Sequence, residues 1–227
     1  MSEQMSQAAM RGGADYYVAR PRSGRGRPVL VLHAWWGLNA FIKSFCDRLA
    51  NEGFVVLAPD LYHGAVASTV AEAQKLGSAT DARFEEVRKE ITQAVEHLLA
   101  ISGTNAREIG AVAFSLGGYY VLSLASQPAV PLAAIVLFYA TGEFDYAPSR
   151  AAFQFHLAET DVYEPSANVE KTQQSLAAAG RPAEFYTYPG TTHWFFESDR
   201  PDAYHAEAAQ LAWDRTVAFL KAHLKET

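Results

Sequence analysis

Short apolar runs alternate along this chain with longer segments in which apolar positions recur every three or four residues. The runs PVLVLH (28–33), FVVLAP (54–59), IGAVAF (109–114) and AAIVLFY (133–139) are nearly continuous and apolar. Parallel strands covered on both faces have this character. FQFHLA (153–158) and AEFYTY (183–188) alternate polar and apolar positions more, as strands nearer a sheet edge do. ADYYVARP (14–21) predicts an antiparallel edge strand, ended by Pro21. Residues 40–51 carry Phe41, Phe45, Leu49 and Ala50 at helical spacing, closed by Gly53. Residues 81–101 repeat the pattern with Phe84, Val87, Ile91, Val95, Leu98 and Leu99, and further helices are expected over 116–126, 165–179 and 203–224. Alternating strands and helices predict the α/β class: a mostly parallel central sheet with helices on both faces.

The chain has no internal repeat and no Pro/Ser-rich linker, so residues 14–227 are expected to form one domain without a large cap, after a frayed 1–13. A hydrophobic fraction of 49% can fill the core of such a domain. The formal net charge of −6 argues against nucleic acid as a partner. ARPRSGRGRP (19–28) is the local exception, with four arginines. Its Gly and Pro content predicts a solvated hairpin loop, with an anion-binding patch as the other reading. Cys46 is the single cysteine, so no intrachain disulfide is possible, and its helical setting suits a buried small hydrophobe. The N-terminal MSEQMSQAAMRGG has no apolar core of signal-peptide length, and no apolar run reaches membrane-span length. The expectation is a cytoplasmic protein without membrane contacts, a monomer or small homo-oligomer.

In such a sheet, ligands bind beyond the carboxyl ends of the strands. Ser115 stands there, directly after IGAVAF and before Leu116-Gly117-Gly118. A nucleophile on a tight strand-to-helix turn needs small residues two before and two after it. Ala113 and Gly117 occupy those places. Serine is also a favoured helix N-cap, so the motif alone leaves cap and nucleophile both open.

A nucleophilic serine needs a base. Of seven histidines, His97, His205 and His223 fall in helical stretches and His156 inside a strand pattern, where packing roles are expected. His33 and His63 follow early strands. His193, in YPGTTHWFF, lies in a loop after Pro189 and Gly190 are expected to break the last strand. It alone satisfies the order Ser…Asp/Glu…His. Between Ser115 and His193, Asp161 follows FQFHLAET, and Glu143 or Asp145 follows the fourth apolar run. Asp161 is favoured because it follows the strand preceding the last one. Asp60 precedes the serine and is expected to serve loop hydrogen bonding. The backbone N–H groups of Trp35, in LHAWWGLN, and of Leu116 are the candidate oxyanion donors.

Aromatics crowd the loops expected at the site: Trp36, Tyr62, Tyr119, Tyr139 and Trp194 as candidate pocket walls, with Trp35, Phe195 and Phe196 beside them. Residues 61–83 form the longest insertion and could make a short lid. No H-E-x-x-H, dense His/Asp spacing or G-x-G-x-x-G occurs, so neither metal nor organic cofactor is expected. Together these features predict a hydrolase cleaving small carboxylic esters or lactones through a Ser-His-Asp triad. Other readings are a small-molecule binder with a vestigial triad, and a peptidase or acyltransferase.

The chain also resembles the dienelactone hydrolase family of α/β-hydrolases. The likeness covers residues 14–224 and rests on VLVLHAWWGLNAFIKSFCDRLANEGFVVLAPDLYHG, AVAFSLGG, HLAETDVYEP and the YPGTTHWFF loop with the last helix. The resemblance implies Ser115, Asp161 and His193 as the triad, Trp35 and Leu116 as oxyanion donors, and no cofactor. The family's best-known members carry cysteine at Ser115 and glutamate at Ala34, and an arginine that meets the substrate carboxylate at Glu197. The first two departures agree, since a serine activated by histidine has no use for a glutamate that manages a thiol. The third argues against dienelactone itself as substrate and leaves Arg83 and Arg200 as the arginines that could take that part.

Overall fold

The computed structural model describes residues 15–225, and the expectation for residues 1–13 lies outside them. Seven strands run in chain order as β1 (Tyr16–Ala19), β2 (Arg27–Leu32), β3 (Phe54–Pro59), β4 (Ile109–Phe114), β5 (Leu132–Phe138), β6 (Ala152–Thr160) and β7 (Ala183–Thr192). They form one sheet in the order β1-β3-β2-β4-β5-β6-β7. Only β1 is antiparallel, paired with β3 at the edge, as its sequence predicts. Six helices, α1 (Ala40–Asn51), α2 (Val70–Asp81), α3 (Phe84–Ile101), α4 (Leu116–Ala125), α5 (Ser166–Ala178) and α6 (Ala206–His223), fill the connections.

The continuous apolar runs divide residue by residue between the two faces. Val29, Val31, Val112, Val136 and Phe138 pack in one core with residues of α1 and α6. Leu30, Leu32, Ala111, Ala113, Ile135 and Leu137 pack in the other with residues of α3 and α4. A strand side-chain period of two sends neighbours to opposite faces. A strand between two helical layers therefore needs apolar residues at every position.

Three expectations change. The arginine-rich segment is exposed from Arg22 to Arg25 but is not a hairpin, because β1 pairs with β3 and the segment crosses to β2. Gly26 lets it pass the start of β3, where a Cβ would collide with the Gly53 carbonyl. The helix expected over 81–101 begins at Phe84, and the preceding segment holds α2, capped by the reciprocal Thr69–Glu72 box. Finally, β7 is not broken at Pro189 and Gly190. It runs to Thr192 through an irregular register against β6, in which Ala158 faces Tyr188 and Thr160 faces Thr192. His193 therefore follows the strand at once.

Candidate active site

Ser115 occupies the corner between β4 and α4 with φ 46° and ψ −113°. A non-glycine residue at positive φ is held there only by surrounding structure. Here the Ser115 N–H donates to the Phe138 carbonyl at 3.0 Å, and its own carbonyl accepts from Gly118 at 2.8 Å. Gly117 must lack a side chain, since a Cβ would stand 2.7 Å from the His33 carbonyl oxygen. Although Ser115 is the N-cap residue of α4, its side chain makes no capping bond. Its Oγ instead lies 3.0 Å from His193 Nε2. The choice between cap and reactive hydroxyl is thereby narrowed by where the oxygen goes.

His193 Nδ1 lies 2.7 Å from Asp161 Oδ2 and 2.9 Å from Oδ1. The side chains of His193 and Asp161 are 4% and 5% exposed. The Asp161 carboxylate also accepts the N–H groups of Tyr163 and Glu164, at 2.9 and 3.0 Å, which fixes its rotamer. The other acids are engaged elsewhere: Glu143 pairs with Lys171, and Asp145 accepts the Ala147 N–H. Asp60 accepts the N–H groups of Tyr62 and Gly64, a loop role as expected. His156 is a core histidine bonded to Tyr188, Gln154 and Thr216. The N–H groups of Leu116 and Trp35 make no hydrogen bond to another described residue, so both are free to donate.

A cleft of about 610 Å3 opens beside His193. Its walls include Trp36, Trp194, Tyr163, Val70 and Arg200. Of the five pocket candidates, Trp36 and Trp194 line it. The other three do not. Tyr62 is buried against the His33 ring, and Tyr139 lies wholly buried with its ring 4.7 Å from that of His193. Tyr119 is exposed on α4 beside Phe84 and Phe144. Tyr163 was not singled out by sequence, yet its ring contacts both His193 and Trp35. Its place two residues past Asp161 was the available signal. Of the segment 61–83, Ser68, Thr69 and Val70 border the cleft. Arg200 lies in the cleft wall with its guanidinium 3.9 Å from the Trp36 ring centre. Arg83 is held by His63 and Glu90 and does not line the cleft. A second cleft, of about 560 Å3, lies at the amino ends of the strands beside Arg107, Pro131 and Arg150, away from this histidine.

Glu197 is wholly buried and accepts the Tyr139 hydroxyl at 2.7 Å, while its second oxygen has no partner. Burial pushes its pKa up to about 8, against the opposing hydrogen bond from Tyr139. Glu164, which accepts from Thr141, is likewise raised to about 7 by burial. Cys46 is buried in α1, and burial raises its thiol pKa. Among the described residues no group of His, Cys, Asp and Glu is placed to hold a metal ion. No described helix is long and apolar enough to cross a membrane.

A seven-stranded, mostly parallel sheet presenting a serine corner, a histidine and an aspartate at its carboxyl end is the α/β-hydrolase fold. Within that fold the dienelactone hydrolase family model matches residues 14–224, and the chain belongs to this family of hydrolases. It is 31% identical to a "Putative carboxymethylenebutenolidase" of Aquifex aeolicus, over 92% of this chain and 93% of that one. It is 30% identical to a "Probable 2-oxo-3-(5-oxofuran-2-ylidene)propanoate lactonase" of Bradyrhizobium, over 92% and 89% of the two chains. The solved structure of a "Putative Dienelactone Hydrolase" from Klebsiella pneumoniae superposes with a TM-score of 0.80 at 25% identity, covering 96% of this chain and 98% of that one.

Proposed function

We propose that this protein is a serine hydrolase of small carboxylic esters or lactones. The observation that carries the reading is the continuous chain from Ser115 Oγ through His193 to Asp161 at a strained corner. His193 Nε2 takes the Ser115 proton as Oγ attacks the substrate carbonyl carbon. Asp161 keeps the Nδ1 proton in place and stabilises the imidazolium that forms. The tetrahedral oxyanion receives hydrogen bonds from the Trp35 and Leu116 N–H groups, aided by the amino end of α4. Each such donor is typically worth about 3–4 kcal/mol in the transition state. His193 then protonates the leaving alcohol, which would depart along the Trp36–Trp194 cleft beside it. A water molecule, deprotonated by His193, releases the acyl group from Ser115.

The aromatic walls of that cleft favour an aryl or alicyclic leaving group. The lactonase named among the relatives supports the lactone half of the reading. Buried, apolar Ala34 offers no carboxylate to manage a thiol, which suits a hydroxyl nucleophile.

Incubation with a fluorophosphonate should add the phosphonyl mass at Ser115, and p-nitrophenyl acetate should be turned over. Ser115→Ala should abolish labelling and lower kcat by about a thousandfold or more. Labelling that persists in Ser115→Ala would sink the assignment.

A further inference from the structure

His33 directly follows β2 and is wholly buried, yet no step above uses it. Its two ring nitrogens are both occupied. Nδ1 lies 2.7 Å from the Ala34 carbonyl oxygen. The Leu61 N–H donates to Nε2 at 3.2 Å. A carbonyl can only accept and a backbone N–H can only donate, so the partners fix one tautomer: neutral, with the proton on Nδ1. Burial acts in the same direction by holding the imidazole below its ordinary pKa. The Tyr62 ring, edge-on at 4.8 Å, completes the seat.

The Ala34 carbonyl belongs to the same peptide unit as the Trp35 N–H. In a planar trans peptide the two point in opposite directions, so gripping the oxygen aims the hydrogen. We propose that His33 is a positioning residue that sets the Ala34–Trp35 peptide and so aims the Trp35 N–H at the reacting carbonyl. This rests on the serine-hydrolase reading, in which that N–H is an oxyanion donor. Two further contacts bring the same residue to both sides of the site. The His33 carbonyl abuts Gly117, two residues past Ser115. Through Leu61, His33 also ties the oxyanion loop to the start of the segment leading to α2. There the indole of Trp35 rests on Gly77, where a Cβ would be 2.9 Å from its Nε1.

Two near-isosteric variants separate the two ring bonds. Asparagine carries its amide two bonds from Cβ, where Nδ1 stands, and can still donate to Ala34. Glutamine carries its amide three bonds from Cβ, where Nε2 stands, and can still accept from Leu61 while leaving the Ala34 carbonyl held only by the longer bond from the Gly37 N–H, at 3.2 Å. With p-nitrophenyl acetate, His33→Gln should lower kcat roughly tenfold or more with KM within about twofold, since a displaced oxyanion donor acts only in the transition state. His33→Asn should keep kcat within about threefold of wild type, because the aiming bond remains. Equal kcat in the two variants would overturn the proposal. A measurement that needs no variant guards against misfolding: 15N NMR of the wild-type imidazole should show a protonated Nδ1 and an unprotonated Nε2. The opposite tautomer would also overturn it. Ser115→Ala, assayed alongside, tells the two readings apart. Full activity there strikes the nucleophile, whereas equal His33 variants in a Ser115-dependent enzyme strike only the role of His33.

Discussion

At the scale of single residues, the site concentrates backbone strain. Among the described residues, four non-glycine residues adopt positive φ: His63, Ser115, Tyr139 and Trp194. Ser115 bonds His193, the Tyr139 ring packs at a tilt against that of His193, and Trp194 follows it. Strain of this kind typically costs about 1–3 kcal/mol per residue and persists only where neighbours over-determine the conformation. At Ser115 those neighbours are the Phe138 carbonyl and the first turn of α4. The strain should therefore be measurable by removing the Cβ. Ser115→Ala keeps the Cβ and keeps the strain; Ser115→Gly relieves it. Glycine also gains freedom in the unfolded chain, which offsets about 0.5–1 kcal/mol of that relief. Ser115→Gly should then exceed Ser115→Ala in stability by about 0.5–2 kcal/mol. For a chain of this length, each kcal/mol raises Tm by about 2–4 °C. Calorimetry of the two inactive variants measures it, and an Ala variant that melts at or above the Gly variant contradicts stored strain at the corner.

At the scale of elements, α2 links the cleft to the oxyanion loop, and it depends on its cap. The Thr69 hydroxyl accepts the Glu72 N–H at 3.2 Å, and the Glu72 carboxylate accepts the N–H groups of Ser68 and Thr69. Those bonds hold the Glu72 pKa below the usual range, so the box is complete above that range and opens as the carboxylate protonates. Losing an N-cap hydroxyl costs roughly 1 kcal/mol, most of it felt locally. Thr69→Ala should speed hydrogen exchange of the α2 amides about fivefold while leaving β4 and β5 unchanged. A uniform change across the protein would show that α2 does not open separately. The same helix marks the limit of what pattern reveals. Strands β2 to β5 were legible because burial on both faces demands unbroken apolar runs. Helix α1 was legible because Phe41, Phe45 and Leu49 recur at helical spacing, and the structure buries Phe45 and Leu49 together with Ile42. The buried face of α2 is Ala73, Gly77 and Thr80, residues too small to contrast with its polar face. Chain order likewise singled out Ser115 and His193 and favoured Asp161. It said nothing of Tyr163, nor that Tyr62 and Tyr139 would be buried under the site, because an aromatic in a loop reads the same whether it walls a cleft or fills a core.

At the scale of the whole molecule, buried titratable groups should shape stability against pH. His156 is buried and neutral, with its pKa pushed down to about 3 from 6.5 by desolvation. Its folded pKa is depressed, so the unfolded chain binds the extra proton between those values and stability is lost as pH falls through them. Glu197 and Glu164 act with the opposite sign. Their folded pKa values are raised from 4.5 to about 8 and about 7, so the native state holds protons the unfolded chain has released. Their stability is fully present below pH 4.5 and is lost as pH rises toward those folded values. The two trends offset each other through the mildly acidic range. Above about pH 7 the Glu197 slope is left, reinforced by Asp199 and opposed by Arg200. One proton released there corresponds to at most about 1.4 kcal/mol per pH unit. Glu197→Gln preserves the shape and an acceptor for the Tyr139 hydroxyl, but has no proton to lose. Its amide N–H2 falls where the carboxyl oxygen already lacks a partner, which brings a pH-independent penalty. The informative quantity is therefore the change with pH rather than the absolute stability. Urea denaturation at pH 6 and pH 8.5 should show wild type losing about 1 kcal/mol or more relative to the variant across that interval. Parallel losses in the two proteins would mean that Glu197 is already ionised in the folded state.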